Sequence, residues 1–299
     1  MSMPDVDLDR RESGFDWRER KGQLFHGLLI VAASVGVVSL VLLFADVIYE
    51  SVTGMSEFGI DPIEFLTRPS SARAEQAGFL AAIIASFWLL VLTAVLSFFV
   101  GVGCAIYLVE YAPQNRTTRL IEANLANLAG VPSIVYGLLV LAAIVNGFGL
   151  GAIILSGAIA LGLLVMPIII VASIEALRGV PDGMRDGSAA TGATKWQTIR
   201  EVVLPYSMPG IITGTILALA RAIGETAPLI MVGALLHART VPGPLDHFSA
   251  MPTQIYNWTF LADPHYTALA ALGIVVLLTI LLVMNGIAVY LRKRYETVK

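Results

Sequence analysis

ANLANLAGVPSIVYGLLVLAAIVNGFGLGAIILSGAIALGLLVMPIIIVASI, residues 123–174, lies between Glu122 and Glu175 and contains no Asp, Glu, Lys or Arg. A membrane-crossing helix needs about 20 predominantly apolar residues, so this run is long enough for two. Asn146-Gly147-Phe148-Gly149-Leu150-Gly151 punctuates it with turn-forming residues and is the expected connection. Working outward, four more apolar segments are long enough to span. They are Leu24 to Tyr49, the uncharged stretch between Glu75 and Glu110, Gly210 to Leu236, and Thr267 to Leu291. The expected fold is therefore all-α, a polytopic membrane protein with six transmembrane helices.

Composition agrees. The chain of 299 residues is 57% hydrophobic and 14% charged, with a mean hydropathy of +0.78, whereas soluble domains carry about 25% charged residues. One cysteine, Cys104, excludes an internal disulfide framework and a Cys-rich metal site; in its apolar run it reads as a small buried hydrophobe. Met1 to Gln23 is polar and mixed in charge, and no small-residue cleavage site follows the first apolar run, so that run is expected to stay as an anchor. The boundaries are an N-terminal tail at 1–23, a membrane domain at 24–292 and a C-terminal tail at 293–299.

Basic residues set the expected orientation. With the N-terminus inside, the N-tail, the 108–120 loop, the 178–206 loop and the C-tail hold fifteen of the nineteen Lys and Arg. The outer loops hold Arg68, Arg73 and Arg239, and Arg221 lies within a span. Both termini are thus expected on the cytoplasmic side. The outer loop Glu50 to Gln76 is long enough for an interfacial helix, and its Arg68-Pro69-Ser70-Ser71-Ala72-Arg73 reads as a solvated turn. The outer segment 237–266, with Pro242, Gly243, Pro244 and Pro252, reads as an irregular loop. Pro132, Pro167 and Pro228 are expected inside spans, where the missing backbone donor bends a helix. Gly210 and Gly214 form a Gly-x-x-x-Gly pair that permits close helix approach. Glu110, at the inner end of the second span, reads as a solvated interface residue.

Within the Gly210–Leu236 segment stands Arg221-Ala222-Ile223-Gly224-Glu225-Thr226-Ala227-Pro228. A charge at a membrane helix centre costs at least roughly 2.5–3.5 kcal/mol, so the pair demands a role. In a helix starting near Ser207, Arg221 lies ~21 Å along it, at mid-depth, with Glu225 four residues on and on the same face. Pro228 is expected to free the carbonyl of Gly224 and bend the helix. Two readings remain open from the residues alone. Either the charges neutralise each other in the bundle, or Arg221 faces a pathway where its planar fork of donors meets an oxyanion. Thr226 is adjacent, and Ser133 and Tyr136, near Pro132, either offer hydroxyls to the same path or serve packing.

The 178–206 loop is the one inner loop of real size. Met184 to Ala190 can form a short helix, Gly192 can end it, and Ala193 to Val203 can form a second, with Pro205 expected to block continuation into the next span. On these residues the chain resembles the permeases of ABC importers, which carry a loop of pattern E-A-A-x3-G-x9-I-x-L-P. Asp186, Gly187, Ser188, Gly192, Val202, Leu204 and Pro205 stand at the matching positions, with Asp for Glu and Gly-Ser for Ala-Ala. Gly187 weakens the first helix by about 1 kcal/mol relative to Ala. Three further stretches resemble the phosphate branch: Ala129 to Leu138, Arg221 to Pro228, and Ala105 to Pro113. Gln254-Ile255-Tyr256-Asn257-Trp258 favours the A-type phosphate permeases (PstA).

The resemblance implies a subunit of a type I importer of inorganic phosphate. Arg221, Glu225, Thr226, Ser133 and Tyr136 would belong to the substrate pathway, and Asp186, Gly187, Ser188, Gly192, Leu204 and Pro205 to the ATPase-coupling loop. Implied partners are a second homologous permease (PstC-like), an ABC ATPase dimer (PstB-like) that binds ATP and Mg, and an extracytoplasmic phosphate-binding protein (PstS-like). The chain carries no G-x-x-x-x-G-K-[ST] loop and no soluble segment of ATPase or receptor size. Enzyme chemistry is disfavoured, because no Ser-His-Asp, metal-ligand or paired-acid constellation is visible and His26, His237, His247 and His265 are scattered. The alternatives are an ABC permease for another oxyanion, such as sulfate or molybdate, and a stand-alone secondary transporter or channel.

Overall fold

The computed structural model describes the backbone of residues 9–234 and 240–296, and side chains within 21–234 and 240–294. The end of the expected fifth span, including Leu236, together with His237, Arg239 and parts of both tails, lies outside the described residues. Contacts divide the chain into two units, one ending at Glu50 and one beginning at Ser51.

The first unit is most of helix α1 (Asp9–Phe58). Helix thus begins within the polar tail rather than at Leu24. Its apolar side chains, such as Leu28, Val35 and Leu42, are exposed, as suits a segment whose solvent is lipid.

The second unit is built around α6 (Ile154–Arg178), an apolar helix buried on most of its surface. A helix hydrophobic all round belongs inside a bundle, and several others pack on it. Along one side runs α3 (Leu80–Ile106), where Gly101 sits against Ile169 and Thr93 donates to the carbonyl of Ala158 at 3.3 Å. Along another runs α9 (Leu204–Ile223), and here the Gly-x-x-x-Gly pair acts as expected. A methyl on Gly210 would meet Cβ of Ala176 at 2.9 Å, and one on Gly214 would meet Cβ of Ala172 at 2.6 Å. Small residues four apart on both helices let the backbones close together.

A third partner is α5 (Ser133–Val140), whose sequence context shows the first departure. The expected third span is broken. α4 (Arg116–Leu128) and the segment Ser133–Gly147 meet at 99° across residues 129–132. Pro132 is not inside a helix but caps α5 at its start, where a missing N–H costs nothing. Among the described residues, five helices can cross a membrane by length and composition, or six if the bent pair counts as one span.

The fifth span is broken as well. α9 ends at Ile223 and α10 (Ala227–Val232) follows after Gly224-Glu225-Thr226, with Pro228 in its first turn. α5 and α10 then pack on each other at Gly137, whose absent side chain leaves room for Pro228. A methyl there would stand 2.7 Å from Pro228 Cα and carbonyl oxygen.

At its other end α9 runs further than expected. α8 (Lys195–Thr198), the wide turn Ile199–Val203 and α9 form one apolar stretch from Lys195 to Ile223. Pro205 does not block continuation. The turn bonds with i→i−5 spacing, Leu204 N–H going to Ile199 O, which moves the register so that a residue lacking an N–H is passed without a break.

Residues 240–266, the described part of the outer segment, are also more ordered than their prolines suggest. They contain α11 (Met251–Thr259), whose Thr253, Gln254 and Trp258 are buried. Met251 N–H donates to Ser86 Oγ at 2.9 Å, fixing α11 to α3. Trp258 joins Phe65 of α2 (Pro62–Thr67), Phe79 and Tyr266 in an aromatic cluster with ring centroids 5.3–6.4 Å apart. Tyr266 lies in α12 (Pro264–Glu296), which packs on α9 and α11.

Candidate functional site

Arg221 occupies the last turn of α9, where the helix leaves carbonyls without intrahelical partners and its dipole favours a cation. Gly224 closes the helix, its N–H bonding the carbonyl of Arg221 at 3.1 Å, and Glu225 N–H reaches Ala222 O at 3.2 Å. The pair is therefore not carried on one continuous helix. Arg221 ends α9 and Glu225 lies in the break before α10.

Its geometry is loose. Nε of Arg221 stands 3.4 Å from Oε1 of Glu225, and the side chains are 51% and 19% exposed. Among the described residues Glu225 is the one ion-pair partner of Arg221. Both open on a cleft of ≈ 550 Å³ lined also by Leu217, Ala220 and Gly224 and by Leu281 and Asn285 of α12. A fork of guanidinium donors beside a neutral amide suits an oxyanion, while a carboxylate in the same wall opposes one. Asn285 was missed by the sequence reading, although an amide inside the apolar Thr267–Leu291 segment was a visible signal.

The other expected pathway residues lie elsewhere. Tyr136 is buried, and its hydroxyl donates to the carbonyl of Leu128 at 2.9 Å. That bond spans the 129–132 break and satisfies an end carbonyl of α4. Ser133 is the first residue of α5 and half-buried; Thr226 is half-buried in the break. None of the three lines the cleft. The structure does bring two of the quoted stretches together, Ala129–Leu138 and Arg221–Pro228, through Gly137 and Pro228.

The second group of expected residues folds as two short helices. α7 (Asp182–Ala190) ends in a turn at Gly192, whose φ of +84° is left-handed and favours glycine. Thr194 and Gln197 then form a reciprocal capping box that opens α8. The hydroxyls of Ser188 and Thr198 meet at 2.9 Å and hold the two helices together. Asp186, Gly187 and Pro205 are exposed and Leu204 half-buried. Met184 and Trp196 are exposed apolar side chains on the same pair of helices.

Glu110 is not a solvated interface residue. Its side chain is 10% exposed and pairs with Arg185 of α7 at 3.1 Å. The wide turn Tyr107–Tyr111 that ends α3 brings it there. Lys195 lies 4.9 Å over the ring of Tyr111 at the same place, and Arg178 pairs with Glu122 at 2.7 Å, joining α6 to α4. The sequence reading passed over Arg185.

Residues 97–297 match the family model described as binding-protein-dependent transport system inner membrane component. The chain belongs to that family. This permease is 32% identical over 281 residues, 90% of its length and 94% of the relative's, to the probable ABC transporter permease protein YqgI of Bacillus subtilis (strain 168). It is 28% identical to the phosphate transport system permease protein PstA of Haemophilus influenzae, covering 91% of this chain and 93% of that one. With PstA 1 of Mycobacterium tuberculosis (strain CDC 1551 / Oshkosh) it shares 38% over 173 residues, 58% of the permease and 56% of the relative. In fold it is similar to a chain of the MetNI methionine ABC transporter, with a TM-score of 0.57 at 18% identity over 73% of the permease and 97% of that chain. The permease is a multi-pass inner-membrane subunit of an ABC importer, non-catalytic itself, and binding-protein-dependent transport implies an ATPase and a binding protein as partners.

Proposed function

We propose that this permease carries inorganic phosphate and supplies half of the translocation pathway, a second homologous permease supplying the rest. The observation that carries the reading is the cleft at the α9 break. There Arg221 is half-exposed, holds Glu225 through one long bond, and shares the lining with Asn285. Donors not committed to a partner are what a passing oxyanion needs, and Glu225 steadies the arginine and keeps the resting site from trapping the anion. The phosphate permeases among the relatives support the substrate.

In this reading both termini and the α7–α8 helices face the cytoplasm, and ATP and Mg are bound by the ATPase subunits beneath. ATP closes the ATPase pair, α7 and α8 transmit the movement, and the segments around Arg221 switch access from one side to the other. The test is radiolabelled phosphate uptake by cells with the whole gene cluster or with this subunit deleted, with sulfate as competitor. Uptake that depends on the subunit and resists sulfate is expected. Uptake unchanged by the deletion, or abolished by sulfate, would sink the phosphate reading. An impermeant thiol reagent reaching a cysteine at Trp196 from outside would reverse the orientation.

A further inference from the structure

Arg185 makes an unusual set of contacts for a residue on an exposed pair of short helices. One η nitrogen donates to Leu177 O at 2.8 Å and, with Nε, to Oε1 of Glu110 at 3.1 and 3.3 Å. The other donates to Val180 O at 2.6 Å and reaches Asp182 at 3.4 Å. A single guanidinium therefore bonds an end carbonyl of α6, the linker that follows it, its own helix and the turn that ends α3. Its side chain is 21% exposed and Glu110 10%, so the pair is shielded enough for its charges to matter.

The connectivity gives this cluster a purpose. α7 and α8 are joined by the chain to α6 on one side and to α9 on the other. Any displacement of them reaches those two helices through covalent backbone. α3 has no such link. The described contacts from α7–α8 to the charged or aromatic side chains at its end are Arg185 with Glu110 and the weaker Lys195 over Tyr111. Both land on the wide turn Tyr107–Tyr111, and turns of this kind are frequent at functional sites.

We propose that Arg185 is a positioning residue for coupling: through Glu110 it makes the end of α3 move with α7 and α6 when the ATPase displaces them. This rests on membership of the ABC permease family and not on the identity of the solute. Five donors in a planar fork suit arginine to the task, since Arg185 makes five contacts to four acceptors and a lysine ammonium has three donors on a single nitrogen.

The decisive variant is Glu110→Ala, because it cuts the bridge to α3 and leaves the carbonyl bonds of Arg185 in place. It is measured in the complete complex, permease pair, ATPase and binding protein, reconstituted in liposomes. The expected result is unchanged co-purification of the ATPase, continued ATP hydrolysis, and phosphate transported per ATP reduced at least about fivefold, the low end of usual site-to-site coupling. Hydrolysis should also lose its response to the binding protein as purified. Arg185→Lys and Glu110→Gln should fall between wild type and Glu110→Ala, and Glu110→Gln decides the matter if Glu110→Ala does not assemble. Transport per ATP at the wild-type value, or transport and hydrolysis falling together in proportion to lost complex, would overturn the proposal. A wild-type complex that hydrolyses ATP in response to binding protein yet moves no phosphate would instead refute the phosphate reading, and the hydrolysis response would still judge Arg185.

Discussion

Two arginines of this chain stand in opposite states. Arg185 bonds Glu110, Asp182 and the carbonyls of Leu177 and Val180, and is 21% exposed. Arg221 has one ion-pair contact, 3.4 Å long, and is 51% exposed in an open cleft. Both are the same ion near the end of an apolar helix, so the difference lies in how many donors the surroundings use. A guanidinium whose donors are taken up holds elements in place. One with donors left over is equipped to meet something that arrives.

The largest expected effect breaks the comparison at Arg221. Arg221→Gln should lower phosphate uptake at least about 30-fold, corresponding to roughly 2 kcal/mol for losing one partner of a desolvated charged contact, with the amount of assembled complex unchanged. Normal uptake would end the pathway role. The exchange Arg221→Glu with Glu225→Arg keeps neutrality, and recovery of transport by it would return the pair to mere charge balance.

Next come double-mutant cycles read by thermal unfolding in detergent. The Arg185–Glu110 pair should show a coupling of roughly 1.5–3 kcal/mol, as for hydrogen bonds to charged groups. The Arg221–Glu225 pair should show no more than about 1 kcal/mol, as for exposed ion pairs. Equal couplings would erase the distinction.

A smaller effect tests what holds the α9 break in place. Gly137→Ala puts a methyl against the backbone of Pro228. Overpacking of that kind costs typically 1–3 kcal/mol, so the variant should unfold at lower temperature and carry less phosphate. The Cβ added at Gly137 would meet Pro228 and Met231 and neither Arg185 nor Glu110, so transport per ATP should stay normal. A loss of transport per ATP would mean that the two regions are not separable.

The residues that were legible share a local cause. Apolar runs, the Gly210–Gly214 pair and the Gly192 turn each follow from sterics and hydrogen bonding within a few residues. The residues that were not legible depend on neighbours from distant sequence. Pro167 sits inside α6 and Pro209 inside α9, while Pro132 and Pro228 open new helices. Proline alone does not separate these outcomes. At Pro132 the carbonyl of Leu128 is satisfied by Tyr136, and at Pro228 the chain is packed against Gly137. A break that would be costly in lipid is tolerable where tertiary contacts satisfy or cover the backbone.

Sequence by itself therefore determined the class of the protein, the spans by length and hydropathy, the two helices of the 178–206 loop, and the anomaly of two charges in a fifth apolar segment. Tertiary structure alone decided that α9 ends at Ile223, that Asn285 lines the same cleft as Arg221, and that Arg185 rather than a residue of the expected pattern joins the loop to α3. The physical reason is range. Hydropathy and backbone sterics act along the chain, whereas the partners of a charge are set by which helices the packing of small residues brings side by side.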